Sequence, residues 1–174
     1  MESVQLVVLL IAPVIVLAAV AWRSVLVVRP DTSAVIERLG RFRAVLEPGL
    51  HLLVPFVDRI RARIDRREQV LEFTDLAITT ADKRVASVRL TIRYEVSDPR
   101  AATYEVAGYP QAVAELTKTG VRNLVGGKTF EQARSSYHLI RHELDTFLRE
   151  TVDSWGIRVS RVELTSIDQA VSNA

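Results

Sequence analysis

An α+β fold is predicted, and three observations predict it: β-prone runs dominate the first half of the sequence, helical patterns dominate most of the second half, and one further strand closes it. Strands, then helices, then a last strand is the order of an α+β protein and not of a parallel βαβ fold. Hydrophobic residues at 48% and charged residues at 25% are the balance of a packed globular chain. The roughly 150 residues after the N-terminal apolar run suit one domain with one core.

Residues 4–22 read VQLVVLLIAPVIVLAAVAW, without an ionised side chain. At about 1.5 Å per residue they reach roughly 28 Å, close to the hydrocarbon thickness of a bilayer. Ala19, Val20 and Ala21 form a small-x-small pattern of the kind a signal peptidase accepts, but Met1, Glu2 and Ser3 lack the positive n-region of a signal peptide. A core helix normally keeps a polar stripe, which this run lacks. A retained anchor over residues 1–24 is therefore expected, with residues 25–168 as the folded domain. Pro13 is compatible with a kinked spanning helix and with a shallow hairpin. Basic residues follow the run and none precedes it, which puts the folded domain in the cytoplasm. Ten arginines between Arg23 and Arg67 face five acidic residues. Near a membrane these arginines attract anionic headgroups, and away from one they form a solvated strand face; both readings fit.

After Arg29, Pro30 and Asp31, the run AVIERLGRFRAVL reads as a hairpin turning at Leu39 and Gly40, ended by Pro48 and Gly49. Leu50 to Phe56, LHLLVPF, is apolar without periodicity. Burial as a strand is the commoner outcome for such a run, and a surface dipping into the membrane interface is the alternative. On that alternative the interface residues are Leu52, Leu53 and Phe56, together with Trp22, Arg23 and Arg29. RIRARID and EQVLEF suggest two more strands. Val88, Leu90, Ile92, Tyr94 and Val96 alternate with polar residues, giving one core face and one wet face.

Asp98 and Pro99 then open a helix as cap and first turn. A helix over about 110–125 buries Val113, Leu116 and Leu124. A second over about 136–154 carries Ile140, Leu144, Phe147 and Leu148 at helical spacing, and Gly156 is its stop. In the closing strand IRVSRVEL, Ile157, Val159 and Arg161 fall on one side, with Arg158, Ser160 and Val162 on the other.

AVIERLGRF at Ala34–Phe42, EPGLHLLVPFVDRI at Glu47–Ile60, the IDRREQVLEF run ending at Phe73, DPRAATYEV at Asp98–Val106 and WGIRVSRVEL at Trp155–Leu164 closely resemble the stomatin, prohibitin, flotillin and HflK/C superfamily, also called SPFH or band 7. The resemblance runs in order from Leu26 to Ile167, with the anchor placed before it as in stomatins. It implies a membrane-attached, self-associating, non-enzymatic scaffold that organises membrane microdomains or regulates membrane proteins and proteases. The partners it implies are membrane lipids, further copies of the chain, and an NfeD-type membrane protein or an AAA-type membrane protease. Two departures stand out. Residues Gly127 to Ser135 differ from the stomatin segment there, so that turn is expected to pack differently. Stomatins also continue into a long Ala/Glu-rich helix, whereas residues 169–174 are a short tail with too few apolar positions for a coiled-coil extension, and small oligomers are expected.

Chemistry-bearing patterns are few. Cysteine is absent, which removes disulfides and thiolate chemistry. Gly126, Gly127, Lys128 and Thr129 end like a phosphate-binding loop, but Arg122 stands where its first glycine belongs and a helix precedes it instead of a strand. His138 and His142 are spaced to share a metal, yet lie opposite the apolar stripe beside Asp145 and Arg149, which reads as a solvated face. A membrane-bound hydrolase or protease subunit is the alternative function, with His51 as the one candidate base, but no nucleophile turn accompanies it. No aromatic platforms interleave the arginines, so nucleic acid is not an expected partner. No catalytic, cofactor or metal residue is assigned.

Overall fold

The computed structural model describes residues 24–170. The anchor at residues 4–22, Trp22, Arg23 and residues 171–174 lie outside the described residues. Among those described, no helix is long and apolar enough to cross a membrane. Where one core was expected, the chain divides after Asp65 into two compact units with separate cores.

In the first unit, the described residues form strands joined by short turns. β1 (Val25–Val28) pairs antiparallel with β4 (Gly49–Leu52) as a two-stranded ribbon. β2 (Thr32–Arg38), β3 (Arg41–Leu46) and β5 (Asp58–Asp65) form an antiparallel sheet in the order β3-β2-β5. The expected hairpin is β2 and β3, joined at Leu39 and Gly40. β2 is the hub because its small and branched residues, Ala34, Val35 and Ile36, are all buried. Ala34 and Ile36 share a small core with Val28, against which Leu26, Leu46 and Leu53 pack. Each neighbour of β2 carries one residue more than the ladder needs, Arg43 in β3 and Arg61 in β5. Such bulges turn a side chain away from its regular place: Arg43 reaches Asp58, and Arg61 lies 3.6 Å from Glu37.

The second unit is the α+β part. β6 (Gln69–Thr79), β7 (Val85–Val96) and β8 (Ile157–Gln169) form an antiparallel sheet with β7 central. The alternation seen around Val88–Val96 is borne out: Val88, Leu90, Ile92, Tyr94 and Val96 are buried. α1 (Pro99–Tyr104) starts where expected, since the Asp98 carboxylate accepts the N–H groups of Arg100 at 2.8 Å and Ala101 at 3.3 Å. α2 (Tyr109–Gly126) and α4 (Tyr137–Asp153) match the two expected helices within about a residue. α4 buries Ile140, Leu144, Leu148 and Val152, while Phe147 stays partly exposed.

Three expectations for this unit need correction. α2 turns Val113, Thr117, Gly120, Val121 and Val125 fully inward and leaves Leu116 and Leu124 only half-buried. Gly120 lets α2 and α4 approach closely, since a Cβ on it would meet Leu144 Cδ1 at 2.9 Å and force that side chain to shift. A further helix, α3 (Phe130–Ser135), fills the segment expected to be a turn; the Thr129 hydroxyl accepts the Gln132 N–H while the Gln132 side chain accepts the Thr129 N–H. In β8 the alternation reverses, so that Arg161 is exposed and Val162 buried. The cause is a bulge: Arg93 pairs with Arg161 but Tyr94 pairs with Val159, which leaves Ser160 over.

Candidate functional site

The first unit wears apolar side chains on the outside. From Leu50 to Phe56 the residues do alternate, but Leu50, Leu52, Val54 and Phe56 are the exposed set, and His51, Leu53 and Pro55 are half-buried. This overturns the expectation that the stretch is wholly buried. A two-stranded ribbon has one face to give a core, and Leu26 and Val28 of β1 use it. The other face carries cross-strand pairs, Val25 opposite Leu52 and Val27 opposite Leu50, all exposed. Leu50 and Leu52 keep 75% and 76% of their surface in water.

The strip ends at a strained tip. Leu39 and Gly40 both have positive φ, 51° and 79°, as a tight hairpin requires. Asn or Asp usually takes the first of these places, and a branched apolar residue there costs about 1–2 kcal/mol. Phe56, at φ 69°, is a second bulky residue in the same left-handed region. The two belong to one structure, since the Leu39 N–H donates to the Val57 carbonyl at 3.2 Å. They are also the most exposed of the large apolar residues described, Leu39 at 80% and Phe56 at 92%. Strain kept at exposed apolar residues points to a role in binding, since folding gains nothing from it.

Asp58 holds this tip in shape. Its side chain is fully shielded and accepts Arg38 Nε at 2.7 Å, Arg38 Nη2 at 3.0 Å, Arg43 Nη1, and the Val54 N–H at 2.9 Å. The Asp58 and Leu53 N–H groups donate in turn to the Val54 and Ser24 carbonyls, so both ends of the loop are tied down. The Arg38 guanidinium, helped by the Val54 N–H and outweighing burial, holds the Asp58 carboxyl well below the usual carboxylate range. Arg41 and Arg59, exposed on either side of the tip strands, supply positive charge beside the apolar surface.

Of the residues predicted to meet a membrane, Arg29, Leu52 and Phe56 are exposed, whereas Leu53 packs on the small core behind them. Leu39, Leu50, Val25 and Val27 were not singled out. Leu39 had a readable signal, a leucine where a tight hairpin favours asparagine.

The other candidates take ordinary roles. His51 Nε2 donates to the Glu47 carbonyl at 2.7 Å and closes the turn into β4. Gly126 ends α2, Lys128 offers its carbonyl to Ala81, and Thr129 caps α3. His138 rests against the Tyr137 ring, with centroids 3.8 Å apart. Among the described residues no group of three His, Asp or Glu side chains is placed to hold a metal.

The chain is similar over 165 residues, at 43% identity, to an uncharacterised protein of Mycobacterium tuberculosis, covering 95% of this chain and 42% of that one. An uncharacterised protein of Methanothermobacter thermautotrophicus is 37% identical over 155 residues, covering 89% and 48%. The human protein named stomatin-like protein 2, mitochondrial, is 30% identical over 143 residues, covering 82% and 40%. The chain thus spans less than half the length of these relatives. Residues 26–174 match the family model described as SPFH domain / Band 7 family, and the chain belongs to that family.

Proposed function

We propose that this chain is a membrane-associated scaffold or regulator whose first unit docks onto lipid through the apolar strip ending at Leu39 and Phe56. Family membership and the stomatin-like relatives support the general role. The observation that carries the docking surface is that Leu39 and Phe56 are bulky, highly exposed and held in left-handed backbone, with the Leu39 N–H bonded to the carbonyl of Val57, the residue after Phe56. At about 25 cal/mol per Å² of apolar surface removed from water, the strip contributes several kcal/mol of lipid affinity. Each arginine close to an anionic surface adds about 1 kcal/mol. In this reading residues 4–22 anchor the chain with the folded part on the cytoplasmic side. Trp22, Arg23 and Arg29 lie at the headgroup level, Leu52 and Phe56 enter the interface, and Leu53 braces them. Self-association in the plane of the membrane, and an NfeD-type protein or AAA-type protease held nearby, complete the proposal.

The absence of cysteine makes the test direct. A spin label is placed on the full chain in vesicles as Leu39→Cys, Leu52→Cys or Phe56→Cys, with the exposed Arg89→Cys as a control. Labels on the strip should collide more with lipid-dissolved oxygen than with a water-soluble nickel chelate, and the control should show the reverse. Labels at 39 and 56 as water-accessible as the control would overturn the docking surface.

A further inference from the structure

Separate from the lipid-facing strip, the second unit has a polar groove of about 290 Å³ between α4 and β8, lined by Arg141, His142, Asp145, Arg149, Ser160 and Arg161. Three guanidinium groups face one carboxylate there, a surplus of two positive charges. The groove exists because of the β8 bulge. With Ser160 left out of the ladder, its carbonyl turns toward α4 and accepts Arg149 Nη2 at 3.2 Å. Arg149 also donates through Nε to Asp145 at 2.8 Å. It is thus a strut across the floor, and it uses up Asp145, the one acid among the described residues that line the groove. The bulge also brings Arg161 out to the solvent side, beside helix residues 141 and 142.

What remains is donor capacity beyond the acceptors at hand. Arg141 is exposed and has no ion-pair partner among the described residues, and neither has His142. Among the described residues Arg161 pairs with Glu163 alone, two residues along its own strand at 3.0 Å, with both side chains well exposed. An exposed pair of that kind gives way easily to a better-matched anion. Two free-ended guanidinium groups and an imidazole N–H around a groove whose own acid is neutralised match a tetrahedral oxyanion.

We infer that this groove is a binding site for a phosphate-class oxyanion, contacted by Arg141, His142 and Arg161 and floored by the Arg149–Asp145 strut. The anion comes either from a soluble phosphate compound or from a phospholipid headgroup. The inference is independent of the docking strip, which lies in the other unit.

The full chain in uncharged detergent is titrated with inorganic phosphate while the ring resonances of His142 are followed, His51 and His138 serving as internal references. Saturable movement of the His142 signals alone is expected, with no such movement for chloride at equal ionic strength. The Arg141→Gln, Arg161→Gln double variant should weaken the interaction at least tenfold. A parallel arm replaces free phosphate by nanodiscs containing phosphatidic acid, and a His142 response only there assigns the headgroup as the source. Equal responses to chloride and phosphate, no response in either arm, or affinity kept within twofold in the double variant would overturn the site. Should the double variant melt early, Arg141→Glu alone, which replaces none of the residues in the Arg149–Asp145–Ser160 contacts, carries the same test.

Discussion

Arg38 and Asp58 face each other as a two-pronged ion pair, Nε to Oδ1 at 2.7 Å and Nη2 to Oδ2 at 3.0 Å, at the paired ends of β2 and β5. The pair does more than join two strands, since the same carboxylate accepts the Val54 N–H and so shapes the loop that presents Phe56.

Replacing Asp58 by Asn keeps the shape but leaves two arginines without their counter-charge. The melting temperature is expected to fall by several degrees, and Arg38→Lys should fall with it because an ammonium cannot span both oxygens. The pH dependence has a definite sign. Because the folded-state value is depressed, the ionised carboxylate stabilises the fold at every pH above the usual carboxylate value of about 3.9, and that stabilisation fades as pH falls below it toward the folded-state value. Thermal melts from pH 7 to pH 2 should show wild type and Asp58→Asn far apart at neutral pH and converging in acid. A constant gap would contradict the assignment.

Leu39→Asn and Phe56→Asn place a residue that tolerates left-handed backbone where a strained one stands. Stability should stay level or rise by up to about 1 kcal/mol, while affinity of the first unit's surface for lipid falls. Urea unfolding gives the first quantity, and oxygen accessibility of a label at Leu52→Cys gives the second. A loss of stability would mean that these side chains serve the fold.

Gly156 and Gly40 both have positive φ but differ in their surroundings. A Cβ at Gly156 would sit 2.5 Å from the Asp98 carbonyl oxygen, whereas one at Gly40 meets nothing within 4 Å. Gly156 also accepts the N–H groups of Ser97 and Asp98 on its own carbonyl. Gly156→Ala is expected to cost about 2–4 kcal/mol and Gly40→Ala about 1 kcal/mol, measured by urea unfolding. Similar costs for both would show that φ alone matters.

The second unit was largely legible because its segments obey one period each. The β7 alternation and the α4 stripe each bury one face in the same core, so local pattern and packing agree. α3 escaped notice although Thr129 and Gln132 spell a capping box, because the two preceding glycines drew attention as a turn. The first unit was harder to read, for a physical reason: hydrophobicity marks what avoids water, and Leu50, Leu52 and Phe56 look alike whether they avoid it in a core or in lipid. The hub role of Asp58 was hidden too, as its arginine partners are 20 and 15 residues away and one of them arrives by way of a bulge.

β8 is a regular strand with two insertions. Its ladder to β7 skips Ser160 and Thr165, and when those two are struck out the buried residues Ile157, Val159, Val162, Leu164 and Ile167 fall at every second place without exception. Each insertion reverses which face the following residues present, and the second cancels the first. Drawing Ser160 into the ladder as a paired residue would therefore act as a frame error, turning Val162 and Leu164 to solvent, whereas deleting it would keep both in the core. Losing Ser160 and Thr165 together would restore an unbroken ladder with the same core, at the cost of the carbonyl on which Arg149 rests.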